Sequence, residues 1–299
     1  MSNTIFTGCA TAIATPMNAD GSINYEEFAR LIDFQIESGI DGLVICGTTG
    51  ESATMTDEEH VEVLRFGIEH TAHRVPVIAG AGSNDTAYAV ELSKEAEKMG
   101  ADALLQVTPY YNKASQRGLV KHFTAIADSV NIPNVLYNVP SRTGCGIGLD
   151  AYIEMSKHPN ITAVKEASSN MSLMAGIAAY TDLDIYSGND DEALCCLALG
   201  GKGLISVTSN VAPREKHEEI KLYLDGKREE ALALAKKLYP LDKALFMDVN
   251  PIPVKEALNI MGFNAGECRL PLCSMSEDMR NKLKSVMNEL GLVNKVVRD

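Results

Sequence analysis

Ile161-Thr-Ala-Val-Lys-Glu-Ala-Ser168 reads as a β-strand that ends in a lysine. β-Branched and small apolar residues lead up to Lys165, and a turn-forming serine follows. Lysine heads usually stay in water, and few sit at the end of a strand that enters a core. Desolvation favours the neutral amine, and a neutral amine is a nucleophile. The placement therefore suggests a Schiff-base lysine, if the run belongs to a larger sheet. Taken alone, the segment fits a lysine at an exposed sheet end equally well.

The rest of the chain supplies that sheet. Seven further runs resemble this one, so that strands are expected at residues 9–14, 42–46, 75–79, 103–108, 134–138, 163–166, 185–188 and 203–207. They are nearly continuous apolar runs, the pattern of strands buried on both faces. Amphipathic helices lie between them. Asn24 with Glu27 and Thr56 with Glu59 have the spacing of N-caps and capping boxes. Val61, Leu64 and Ile68 share one helix face, and Leu119, His122, Phe123 and Ile126 share another, which makes His122 a packing residue rather than a ligand.

Eight β-α units in succession predict an α/β fold, a closed parallel (β/α)8 barrel of the TIM type, rather than an open doubly wound sheet. Gly80-Ala-Gly82 lacks the rest of a dinucleotide fingerprint. Beyond about residue 225 only helical patterns remain, with stripes at Ala231, Leu234, Ala235 and Leu238 and at Met279, Leu283, Val286 and Leu290. The expected division is a catalytic barrel over residues 1–225 and a helical C-terminal domain over residues 226–299.

Composition narrows the function. The chain has 299 residues, 45% hydrophobic and 22% charged, enough apolar material for a large core. A net charge of −13 argues against a nucleic-acid partner, which needs a basic face. No stretch approaches the apolar length that crosses a bilayer, so no membrane partner is expected. Residues 1–6 hold neither a basic segment nor a hydrophobic signal core, and a cytoplasmic location is the expectation. Seven cysteines lie scattered, none in a Cys-x-x-Cys pair, and read as buried thiols rather than a zinc site.

In such a barrel catalytic groups gather at the C-terminal ends of the strands. Those ends hold Gly47-Thr-Thr-Gly-Glu51, Thr108-Pro-Tyr-Tyr-Asn112, Tyr137-Asn-Val-Pro-Ser-Arg-Thr-Gly144, Lys165 and Ser187-Gly-Asn-Asp190. The glycines of the first allow a tight turn whose amides and hydroxyls suit a carboxylate. Arg142 could bind a second carboxylate bidentately while Lys165 stays neutral.

Jointly, Gly47-Thr-Thr-Gly-Glu51, Tyr137-Asn-Val-Pro140 and Val164-Lys-Glu-Ala167 resemble the signature of the dihydrodipicolinate synthase and N-acetylneuraminate lyase family. The resemblance covers nearly the whole chain. It implies a class I, Schiff-base aldolase or lyase that needs no metal or organic cofactor. Thr49 and Arg142 are similar to the synthase branch, whose arginine engages the carboxylate of L-aspartate 4-semialdehyde and which serves diaminopimelate and lysine biosynthesis. The alternative is a pyruvate-dependent sugar-acid aldolase or lyase of the same family, and, from another class, a non-catalytic ligand-binding barrel.

The roles implied by the resemblance are as follows. Lys165 forms an imine with pyruvate, Thr48 and Thr49 hold the pyruvate carboxylate, and Tyr137, Thr48 and Tyr111 relay protons. Backbone near Gly188 and Ile205 lines the lysine pocket. Tyr111 reaches in from a neighbouring subunit, in a homotetramer built as a dimer of dimers. Members inhibited by L-lysine bind it near positions matching Ser52, Ala53, His60, Asn84 and Tyr110. Here Tyr88 stands where an acidic residue commonly grips the inhibitor's ammonium, and Asp57 replaces a histidine seen in some sensitive members; both departures count against feedback inhibition, which the sequence leaves open.

Overall fold

The computed structural model describes residues 4–296; residues 1–3, part of the N-terminal reading above, lie outside them. Eight strands follow one another around a closed barrel: β1 Gly8–Ala12, β2 Gly42–Ile45, β3 Val77–Gly80, β4 Ala103–Val107, β5 Asn134–Asn138, β6 Ile161–Glu166, β7 Asp184–Ser187 and β8 Gly203–Ser206. Every neighbouring pair is parallel. The barrel shuts where Gly8 pairs with Gly203. A Cβ on Gly203 would lie 1.9 Å from the Gly8 carbonyl oxygen, so only glycine permits this approach.

The strand limits differ from the sequence expectation for local reasons. β1 stops at Ala12 because the amide of Ala14 turns to the Asn210 side chain at 2.9 Å. β3 starts after Pro76, which has no N–H for the ladder. The helix Asp57–Thr71 has the full Thr56–Glu59 capping box. The helix Tyr25–Glu37 has only half of one: Asn24 accepts from the Glu27 amide, but the Glu27 carboxylate bonds Arg30 at 3.0 Å and the Asn264 amide at 2.6 Å. A distant partner outcompetes the local one.

Two layers of core result. Ala10, Val44, Ile78, Leu105, Val135, Tyr137, Ala163, Tyr186 and Ile205 fill the barrel interior. Alternate residues on the same strands, such as Leu136, Val164 and Ile185, pack outward against the helices. On β6 this parity sends Val164 outward and places Lys165 on the inner side with Ala163 and Ala167. Helices Arg228–Ala244, Ile252–Met261 and Glu277–Glu289 form the C-terminal extension. The expected division at 225/226 falls in the turn before the first of them, and one apolar cluster runs across it, joining Leu43 and Ile220 to Leu241, Val254 and Met261.

Candidate active site

Lys165 lies at the barrel mouth, 4% exposed. Among the described residues it has no carboxylate within ion-pair distance; its ammonium sits 4.4 Å from the centroid of the Tyr137 ring, on the adjacent strand. Burial lowers its pKa to about 8, with Asp190 pulling up and Arg142 pushing further down. The end of β7 passes directly beside it. A Cβ at Gly188 would stand 3.2 Å from Lys165 Cε and 2.7 Å from the Ala167 Cβ, so glycine is what leaves the lysine room.

Tyr137 is buried at the same level. Burial raises the pKa of its phenol, while Arg142 and a hydrogen bond with the Thr48 hydroxyl pull it down. Thr48 and Thr49 open a 3-10 turn, Thr48–Gly50, whose next residue, Glu51, is left-handed at φ 57°. The turn is pinned from β1's side, where the Thr15 hydroxyl donates to the Gly50 carbonyl at 2.8 Å.

These residues line one cavity of about 460 Å³: Thr48, Thr49, Tyr137, Arg142, Lys165 and Gly188 are all in its wall. The cavity can therefore present an amine, a phenol, two hydroxyls and a guanidinium to one small molecule. Two expected residues stand elsewhere. Ile205 is wholly buried in the barrel interior, and Val207, two residues on, reaches the wall instead. Tyr111 is 90% exposed, at φ 72°, and is not in the wall of its own chain's cavity. Its loop is nonetheless braced, with Asn84 Nδ2 donating to the Tyr110 carbonyl at 3.2 Å and Asn112 Nδ2 to the Asn84 carbonyl at 2.9 Å.

Sequence reasoning missed the C-terminal contribution. Phe246, Asp248, Val249 and Asn250 complete the wall. Asn250 donates through Nδ2 to the Thr49 hydroxyl at 3.0 Å and accepts from Arg142 Nη2 at 3.1 Å on its carbonyl, so one residue touches both expected carboxylate binders. The only signal was Asp248-Val-Asn-Pro-Ile-Pro253, a proline-rich break between two helices. The two departures at the expected inhibitor positions also lie within reach of each other: burial, and then the Asp57 carboxylate, push the Tyr88 phenol's pKa up. His60 is buried, with Nε2 2.8 Å from the Gly80 carbonyl.

The profile of the dihydrodipicolinate synthetase family matches residues 5–290. The 4-hydroxy-tetrahydrodipicolinate synthase of Caldicellulosiruptor saccharolyticus is 52% identical over 289 residues, 96% of this chain and 98% of the relative. The enzyme of that name from Lachnoclostridium phytofermentans is 52% identical over 293 residues, 97% of this chain and 99% of its own. The crystal structure of dihydrodipicolinate synthase from Aquifex aeolicus superposes with a TM-score of 0.94 at 42% identity, covering 96% of this chain and 99% of that one. A barrel that carries a buried lysine on β6 and matches these relatives over 96–97% of its length belongs to the dihydrodipicolinate synthetase family.

Proposed function

We infer that this chain is a 4-hydroxy-tetrahydrodipicolinate synthase, a Schiff-base lyase of lysine and diaminopimelate biosynthesis. Its substrates are pyruvate and L-aspartate 4-semialdehyde. The observation that carries the chemistry is Lys165: a buried amine with no carboxylate within ion-pair distance among the described residues, in the wall of a cavity shared with Thr48, Thr49 and Arg142.

In our reading the neutral amine of Lys165 adds to the keto carbon of pyruvate. Loss of water leaves an imine, while Thr48 and Thr49 hold the pyruvate carboxylate. The protonated imine is an electron sink, so the methyl group loses a proton and an enamine forms. The enamine carbon attacks the aldehyde of the second substrate, whose carboxylate pairs with Arg142. That substrate's amine then displaces Lys165 by transimination and closes the ring. Tyr137 shuttles protons without placing a full charge in the pocket. No metal or organic cofactor enters the sequence.

The relay is completed from outside the protomer. Tyr111 is a large aromatic on a braced loop, exposed in its own chain, and it supplies the third relay hydroxyl to a neighbour's cavity. The assembly we assign is a dimer of dimers, in the cytoplasm, a setting that suits seven cysteines kept as thiols. No helix among the described residues is long and apolar enough to cross a membrane.

Intact-mass spectrometry after borohydride reduction with pyruvate tests the reading. A pyruvate adduct on the native chain and none on Lys165→Ala is expected, with turnover of L-aspartate 4-semialdehyde and none of sugar acids. No adduct on the folded native chain would overturn it. A tetramer by sedimentation, and impaired turnover in Tyr111→Phe, are expected for the assembly.

A further inference from the structure

Two charged side chains beneath the cavity take no part in the chemistry above. Glu51 follows the turn that carries Thr48 and Thr49, and neither it nor its partner lines the cavity. Its Oε1 accepts from Lys255 Nζ at 2.8 Å, and both side chains are almost wholly buried, 3% and 2% exposed. Its Oε2 accepts from the Arg269 amide at 2.9 Å. Lys255 also donates to the Glu267 carbonyl at 2.8 Å. Both carboxylate oxygens are therefore tied to the C-terminal extension, Lys255 coming from the helix Ile252–Met261.

Glu51 needs such a tether. Its φ of 57° is left-handed, a conformation that a glutamate keeps only when its surroundings hold it. Its amide closes the 3-10 turn on the Thr48 carbonyl at 3.1 Å. Release of the carboxylate would let this residue return to an ordinary φ, and the rotation would carry the Thr48 and Thr49 hydroxyls with it. Contacts in the cavity itself only partly oppose that: the Thr15 bond holds Gly50, the Asn250 bond holds Thr49, and Thr48 is held by the turn's closure and by its hydroxyl's pairing with Tyr137.

We propose that the buried Glu51–Lys255 pair is a positioning device that sets residues 48–51 in the geometry that binds the pyruvate carboxylate. The proposal rests on the synthase reading above. It makes the C-terminal extension part of pyruvate recognition rather than an appendage to the barrel.

The test compares the native chain, Lys255→Met and the doubly substituted E51Q/K255M. The first readout is the pyruvate concentration that half-saturates borohydride-trapped adduct; the second is KM for L-aspartate 4-semialdehyde; far-UV circular dichroism reports folding. In Lys255→Met a rise of about 10–100-fold in the pyruvate value is expected, with the aldehyde KM nearly unchanged, since misplacing a positioned group by about 1 Å can cost up to about 10²-fold. A purely structural pair would lower thermal stability and leave both values alone, or move them together, and either result overturns the proposal. Should Lys255→Met not fold, the neutral double variant decides: folded with a raised pyruvate value supports positioning, while folded with a native value, or unfolded as well, overturns it. A native chain that traps no pyruvate would instead sink the synthase reading and is distinguished from these.

Discussion

Lys165 and Lys216 are both withdrawn from water, at 4% and 0% exposure, yet they are opposite chemical objects. Lys165 meets a tyrosine ring and, among the described residues, no carboxylate within ion-pair distance, and its pKa falls to about 8. Lys216 lies behind β8 with Glu219, Asp242 and Asp190 at 2.9, 3.3 and 3.9 Å, and those carboxylates push its pKa up despite the burial. Burial alone does not make a nucleophile; burial without a counter-charge does. Asp190 is common to both regions. It is the residue nearest in influence that holds the Lys165 pKa up, and its oxygens are themselves taken by the Val207 amide at 2.9 Å and by Ser206.

The contrast breaks most decisively if the wrong lysine carries the imine. Lys165→Ala is expected to lose turnover by at least about 10³-fold, as removal of a covalent nucleophile does, and to trap no pyruvate. An adduct on that variant would locate the chemistry elsewhere. Lys216→Met should act on the fold instead. Removing one member of a buried ionic cluster costs about 3–5 kcal/mol, read as a lowered denaturant midpoint, while the folded fraction still traps pyruvate. Loss of trapping at full folding would erase the distinction between the two lysines.

A smaller effect separates the amine from the guanidinium. Arg142→Ala is expected to form the imine normally and to lose about 10–100-fold in kcat/KM for the aldehyde, the range of a charged hydrogen bond. Normal turnover in that variant would refute its role. The pH profile sharpens the comparison further. A lowered lysine pKa means that the reactive neutral form is lost as pH falls through about 8, so initial trapping rates should drop about tenfold per pH unit below that point and level off above it. In Asp190→Asn the inflection should move to lower pH, because a charge that favours the ammonium has gone. The smallest expected response is to L-lysine. With a tyrosine at position 88, the site offers a phenol where an ammonium would need a carboxylate, and a titration should leave turnover unchanged. Strong inhibition would show that another group grips the ligand.

The sequence by itself determined the eight β-α units and the placement of Lys165 at the end of the sixth strand. Continuous apolar runs point to strands buried on both faces, and the folded barrel then shows Lys165 on the inner side with Ala163 and Ala167. The residues that resemble the family's signature also come together as read, with Thr48, Thr49, Tyr137, Arg142, Lys165 and Gly188 on one cavity. Short-range rules suffice for these because strand parity and turn geometry are local.

Only the tertiary structure decided which buried lysine is free to react. In sequence Lys216 and Lys255 are ordinary lysines of amphipathic helices. Their burial, and their carboxylates, come from elements far along the chain, 204 residues away in the case of Glu51. Asn250 likewise reaches Thr49 across 201 residues. Desolvation and Coulomb attraction depend on distance in space, which the spacing of residues along a chain does not carry.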